Sequence, residues 1–198
     1  MHSFRVALLG ALVVASALSA CSLFPCTERR HDSGLLLVCA ERVRDIPENL
    51  KAAASDAWSL AEDHPDALGF PWANPDTGEL EMRVIDSSGE AVVRDWVARG
   101  VARTTTKPAQ LARPSVAVKI VTSERSFRQL LEIQNGSLPA NALPDGDAIY
   151  EVGPDVERNA IVFTIDRLSD SLLRALATRY GTSAIVIRVA PDRPQTGF

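Results

Sequence analysis

Asn74-Pro75-Asp76-Thr77-Gly78 is a run of five turn-forming residues between two apolar stretches, Leu68 to Ala73 and Leu80 to Ile85. Proline fixes φ, Asn and Asp bond to nearby backbone, and glycine accepts a left-handed φ, so the chain reverses here and the flanks pair as an antiparallel hairpin. Leu80, Met82 and Val84 alternate with Glu81 and Arg83, which gives the second strand one apolar face. A helix supplies the cover for that face. Ser87-Ser88-Gly89-Glu90 has the spacing of a capping box, Val92, Val93, Trp96 and Val97 recur at helical spacing, and Gly100 offers a left-handed stop. Val116 to Val121 then reads as a further strand.

The same order returns downstream. Ala148 to Val152, the turn Gly153-Pro154-Asp155 and Asn159 to Ile165 predict a second hairpin. Asp166 and Ser169 lead into a helix with Leu172, Leu173, Leu176 and Tyr180 on one face, Gly181 closes it, and Ser183 to Val189 is a last strand. Pro75-Asp76 returns at Pro154-Asp155 (154 − 75 = 79), Asp86 at Asp166 (166 − 86 = 80) and Gly100 at Gly181 (181 − 100 = 81). These separations suggest an internal duplication of a β-β-α-β unit, although turn and stop residues also recur by chance. Between the copies a helix starts at Ser123, carries Phe127, Leu130, Leu131 and Ile133, and stops at Asn135-Gly136, and residues 137–147 form a loop. Upstream, residues 34–43 read as a strand and 47–63 as a helix that Pro65 ends. The expected class is α+β, with two small units whose antiparallel hairpins pack against amphipathic helices. The expected organisation is a signal peptide over 1–20, an N-terminal anchor segment with strand and helix over 21–66, a first unit over 67–136, and a second unit with a C-terminal tail over 137–198.

The N-terminus has a different chemistry. A short basic start ending at Arg5 precedes the apolar run Val6 to Ala17, and Leu18-Ser19-Ala20-Cys21 follows. These are the parts of an export signal, and the run is too short for a bilayer span of about 20 residues. Leu18 to Cys21 resembles the lipobox of bacterial lipoproteins. That resemblance implies a diacylglycerol on the Cys21 thiol, cleavage before it, and a protein lipid-anchored to the cell membrane on its extracytoplasmic side. Removing residues 1–20 leaves 198 − 20 = 178 residues and, because only Arg5 of the basic residues is lost, a charge of 20 − 25 = −5. Two or three acyl chains, at about 0.8 kcal/mol per buried methylene, hold such a chain firmly at a membrane surface. Outside the reducing cytosol Cys26 and Cys39 remain as an even pair. They pair as a disulfide stabilising by on the order of 3 kcal/mol, or Cys39, inside an apolar run, is a buried free thiol.

Composition and motifs exclude more chemistry than they suggest. The 21 Lys+Arg lie scattered among 25 Asp+Glu and leave no basic footprint for a nucleic acid. His31-Asp32-Ser33 holds three triad residue types, but adjacent residues do not place nucleophile, base and orienting acid in line, so a surface turn is expected. Glu62-Asp63-His64-Pro65-Asp66 offers three carboxylates and an imidazole, readable as a metal site or as a solvated helix end. Asp145-Gly146-Asp147 reads as a turn before a strand. No glycine-rich phosphate cradle occurs. Trp58, Trp72 and Trp96 read as core anchors, with Phe70-Pro71-Trp72 open to exposure on the hairpin. No catalytic residue, cofactor or metal is expected.

A family likeness runs over residues 68–190. The hairpin Phe70 to Val84, Val97-Ala98-Arg99-Gly100, Val118-Lys119-Ile120-Val121 leading to Leu130 and Leu131, the Tyr150 to Ile165 hairpin with Asn159-Ala160-Ile161-Val162, and Tyr180-Gly181 ahead of Ile185 to Val189 together resemble the pro-region of secreted bacterial chymotrypsin-fold serine proteases. The resemblance implies a two-part α+β module that docks a protease by adding its sheet edge and acts as a folding template or inhibitor. The sequence ends at Phe198 with no protease domain, so the expectation is a stand-alone protease chaperone or inhibitor, or a reused scaffold. The expected function is therefore a lipid-anchored, extracytoplasmic, non-catalytic interaction module, with its contact through the edge of strand 183–189. A structural envelope lipoprotein and a metal-dependent protein using residues 62–66 are the alternatives.

Overall fold

Helices and strands alternate along the chain in an order set by where the apolar period switches between 3.6 and 2 residues. The computed structural model describes residues 28–38, 44–99, 116–136 and 142–191. They form an α+β fold of four helices and two mixed sheets. The first unit comprises α1 (Glu48–Asp63), β3 (Trp72–Asn74), β4 (Glu79–Val84), α2 (Ser87–Ala98) and β5 (Val118–Thr122), with sheet order β3-β4-β5. The second comprises α3 (Phe127–Gly136), β6 (Ile149–Asp155), β7 (Ala160–Ile165), α4 (Asp170–Tyr180) and β8 (Ile185–Val189). Its sheet also takes in β1 (Arg29–Arg30) and β2 (Leu36–Val38), in the order β1-β2-β8-β7-β6.

Each unit is a hairpin followed by a helical crossover, and the crossover makes the third strand parallel to the second: β5 to β4, and β8 to β7. α1 packs on β3 and β4 as α3 packs on β6 and β7, so the repeated order is α-β-β-α-β, one helix longer than the sequence suggested.

The repeat is visible in the backbone register. Asn74 pairs with Glu79 and Asp155 with Ala160, a constant separation of 155 − 74 = 81. Leu80 pairs with Val118 and Ile161 with Ile185, so the crossover strands are separated by 185 − 118 = 67. The bonds that close each parallel ladder follow suit. Leu80 N–H donates to Ala117 O (2.8 Å) where Ile161 N–H donates to Ala184 O (2.9 Å), and Ser123 N–H donates to Val84 O (2.8 Å) where Ala190 N–H donates to Ile165 O (2.9 Å). The turns match as well. Asn74 Oδ1 accepts from Thr77 N–H as Asp155 Oδ1 accepts from Arg158 N–H, and Gly78 (φ +71°) and Asn159 (φ +51°) both close their turns in the left-handed region. The two Pro-Asp pairs are therefore not equivalent positions: Gly153-Pro154-Asp155 lies within β6, and the turn is made by residues 156–159.

Other local expectations shift for identifiable reasons. The N-cap of α2 is Asp86, whose carboxylate accepts from Ser88 N–H (2.9 Å) and Gly89 N–H (3.2 Å), while Glu90 turns to Arg94. The capping box sits instead at Ser126-Phe127-Arg128-Gln129. Gln129 Oε1 takes Ser126 N–H (3.0 Å) and Ser126 Oγ takes Gln129 N–H (3.3 Å). α3 thus begins at Phe127 rather than Ser123, whose N–H is committed to the β4–β5 ladder. The last strand, β8, is not an exposed edge: β7 flanks it on one side and β2 on the other, both parallel. Gly100, residues 39–43 of the first strand expected, and the tail from 192 onward lie outside the described residues.

One continuous apolar core spans both units, joining Leu50 and Ala57 of α1, Leu80 and Met82 of β4, Phe127 and Leu130 of α3, Ile161 and Phe163 of β7, and Leu172 and Leu176 of α4. Because that core is shared, the units unfold together. Differential scanning calorimetry is expected to show a single transition. Leu80→Ala and Ile161→Ala, at equivalent buried positions, each lower its stability by about 2–5 kcal/mol without splitting it, and two separable transitions would contradict the shared core.

Candidate functional site

The junction between the units is built from polar groups that neither unit can satisfy alone. Asn159, 6 % exposed, stands in the left-handed position that Gly78 holds in the first unit. Asparagine tolerates that φ better than most residues with a Cβ, and here it gains a side chain that reaches across. Its Oδ1 accepts from Phe70 N–H (2.7 Å), and its Nδ2 donates to Ser123 Oγ (2.7 Å) and Arg125 O (2.9 Å). Gly69 has to be glycine for the same reason, since a Cβ there would lie 2.7 Å from Asn159 Oδ1 and 3.1 Å from Arg125 O. Arg83 of β4 reciprocates: its guanidinium, buried, donates to Phe70 O (2.8 Å), Val156 O (2.6 Å) and Glu157 O (2.6 Å). Burial pulls its pKa below the ordinary arginine value, opposed by Glu81, Asp155 and Glu157. Arginine remains charged, so the guanidinium serves as a permanent three-way clamp.

Beside this clamp Trp58 stacks on Phe70 (5.3 Å between ring centroids, 13°), and Phe127 meets both rings edge-on at 5.0 and 5.3 Å. Phe70 is fully buried and Pro71 buried, so the hairpin's aromatic stretch is junction core rather than an exposed patch; Trp72 and Trp96 are half-buried. Phe127 N–H also donates to Leu68 O (2.6 Å), and Arg128 grips Asp66 through two bonds of 2.6 and 3.0 Å.

The junction fixes the end of β5, because Ser123 is held by Asn159 through its hydroxyl and by Val84 through its N–H. Since Ala117 and Ser123 turn their backbone groups toward β4, strand alternation turns those of Val118, Ile120 and Thr122 to the other side. Among the described residues no strand pairs with β5 on that side. The equivalent side of β8 is covered by β2. This outer edge of β5 is the candidate interaction site, with Val118 and Ile120 packed against the core and Thr122 exposed.

The residues flagged by sequence reasoning fall elsewhere. Cys21, Cys26 and Cys39 lie outside the described residues. Glu62 accepts from Trp58 Nε1 (2.9 Å) and Asp66 from Arg128, so the 62–66 carboxylates point to different partners; no group of three metal-ligating side chains converges among the described residues. Asp145 accepts from Ser169 Oγ (2.5 Å) and Ser171 Oγ (2.6 Å), and Asp147 from Arg167 (2.7 Å), tying the turn before β6 to the start of α4. His31 and Ser33 lie in the β1–β2 turn, where His31 Nδ1 is 3.1 Å from Ser33 Oγ and 3.2 Å from Ser33 N. Nε2 sits 3.4 Å from Asp170 of α4. A Ser-His-Asp line therefore does form, through Asp170 rather than Asp32. Its base lone pair is shared with a backbone N–H, and the neighbouring Gly34 N–H bonds to His31 O, which suits a turn clasped to a helix rather than acyl transfer. The junction itself escaped sequence reasoning; an asparagine where the first turn has glycine was its one sequence signal.

Asn159→Gly keeps the left-handed φ but strands the buried Phe70 N–H and takes one of two donors from Arg125 O, which keeps Ser123 Oγ, and it is expected to cost about 2–4 kcal/mol by denaturant titration. Gly78→Asn at the matching turn, where a Cβ meets nothing within 4 Å, should stay within about 1 kcal/mol. Equal effects at the two turns would contradict the junction. Acid provides a second check. Asp66 is held below the ordinary value of 3.8 by Arg128, Asp86 by Ser88 and Gly89, Asp145 by Ser169 and Ser171, and Asp147 by Arg167. Below 3.8 the unfolded chain binds more protons at these sites, so their stabilisation, intact above that value, is lost as pH falls through the folded values. Melting temperature should drop in that window, and less steeply in Asp66→Asn; an unchanged slope would refute the Asp66 contribution. Comparison with known proteins finds no family model that matches the chain and no curated protein that matches it significantly.

Proposed function

We propose that the chain is a lipid-anchored extracytoplasmic protein whose folded part is a non-catalytic interaction module, with regulation of a secreted serine protease as chaperone or inhibitor the partner chemistry to test first. The observation that carries the location is the order of basic start, apolar run and Leu18-Ser19-Ala20-Cys21. Thiol acylation at Cys21 fixes the chain to one leaflet and leaves the folded units outside the cytoplasm. The protease partner rests on the pro-region resemblance. The sheet arrangement supports a binding role in a modified form. β8 is interior, so strand addition falls to another edge.

Metabolic labelling with radioactive palmitate is expected to mark the wild-type chain and not Cys21→Ser, and label retained in the variant would refute the anchor. Affinity recovery of the full chain from solubilised membranes should bring down a reproducible protein partner. No partner, together with no effect on a secreted serine protease assayed with the purified chain, would overturn the interaction reading.

A further inference from the structure

We infer that the outer edge of β5 takes an extended peptide segment, running parallel to β5, whose residues alternate between aliphatic and polar; this inference rests on the interaction-module reading and names its contact. The second unit supplies the template. β8, the counterpart of β5, receives β2 in parallel, with Leu36, Leu37 and Val38 opposite Val186, Ile187 and Arg188. Subtracting the separation of 67 places the matching seats on β5 at Lys119, Ile120 and Val121. A guest residue opposite Ile120 points, as Leu37 does, into the shared core, where Val118 and Ile120 are only partly covered, and it has to be aliphatic.

The other face differs between the units. In the second, Leu36 and Val38 join an apolar cluster with Ala160, Val162 and Val186. The cross-strand pair Val162–Val186 has its counterpart in Glu81–Lys119, joined by a 3.0 Å ion pair. The guest residue opposite Lys119 meets charges instead of valines, so it is polar, and the one opposite Val121 stands next to it on the same face. The outward N–H and C=O groups of Val118, Ile120 and Thr122 supply the backbone ladder, as in strand addition generally. An all-apolar segment such as β2 itself would place its leucine at the Glu81–Lys119 pair, and the edge discriminates against it.

Hydrogen–deuterium exchange on the full chain in detergent tests this, with a blocked Thr-Leu-Thr-Val-Thr-Leu-Thr peptide as probe and a peptide of the same composition with its aliphatics grouped as control. The alternating peptide at saturation is expected to slow the amides of Ile120 and Thr122 at least tenfold, and to leave those of Lys119 and Val121, already bonded to β4, unchanged. Thr122→Pro removes one outward N–H at an exposed position where an edge strand tolerates proline, and it should abolish that protection. Equal protection by the control, protection confined to β1 or β6, or no protection would overturn the inference. So would amides of Ile120 and Thr122 protected without peptide, which would assign the edge to another segment of this chain, or protected only in a concentration-dependent dimer, which would assign it to a second copy. A membrane partner that Thr122→Pro does not release overturns this edge and leaves the interaction module standing. Recovery of no partner alongside positive peptide protection does the reverse.

Discussion

Asn159 is the point on which the arrangement of the two units depends. It occupies a left-handed turn position that glycine would fill at no steric cost, as Gly78 does in the first unit. The side chain satisfies one buried N–H, one carbonyl and one hydroxyl of the neighbouring unit. Three such bonds from a buried side chain matter less for their net gain than for what their loss would leave unpaired. Arg83 imposes the same constraint from the other side, since its three carbonyl partners come from both units. Two copies of one topology are thereby held in one relative placement, with Gly69 leaving the room that placement requires.

How the copies diverge follows from what each sheet has next to it. Glu81 and Lys119 form a charged cross-strand pair where Val162 and Val186 form an apolar one. The apolar pair is matched by β2, whose Leu36 and Val38 pack with it. β2 enters from the N-terminal side of the chain, so the expected lipid tether at Cys21 would lie 36 − 21 = 15 residues before it. The first sheet, with its charged face, has no such strand among the described residues. An edge strand with unpaired backbone groups is a liability that proteins usually blunt with charge or bulges; Lys119 provides such a charge at the middle of β5.

Much of the fold was legible because periodicity and turn chemistry agree locally. The hairpin at Asn74 to Gly78, the helical stripes and the strands at 160–165 and 185–189 stand close to where their patterns predict. What escaped has one physical cause in each case. The Pro154-Asp155 pair resembles a turn by composition, yet a proline is admissible in β6, an edge strand with β7 on one side only. Asp86 displaced the expected Ser87 cap because a carboxylate one residue earlier already reaches two free N–H groups. Parallel pairing of β5 and β8, the interior place of β8, and the Asn159 and Arg83 junction are contacts between residues far apart in sequence, on which local pattern is silent. The proposed lipid anchor, by contrast, rests on local sequence alone.

The most direct measurement of the central claim is native-state hydrogen exchange at the Phe70 amide, which donates to Asn159 Oδ1. If the junction makes the two units one cooperative body, this amide exchanges only through global unfolding, with the same free energy and denaturant dependence as the Phe163 amide in the middle of β7. Exchange of Phe70 through a lower-energy opening, while amides within both sheets remain protected, would show units that separate without unfolding and would contradict the account.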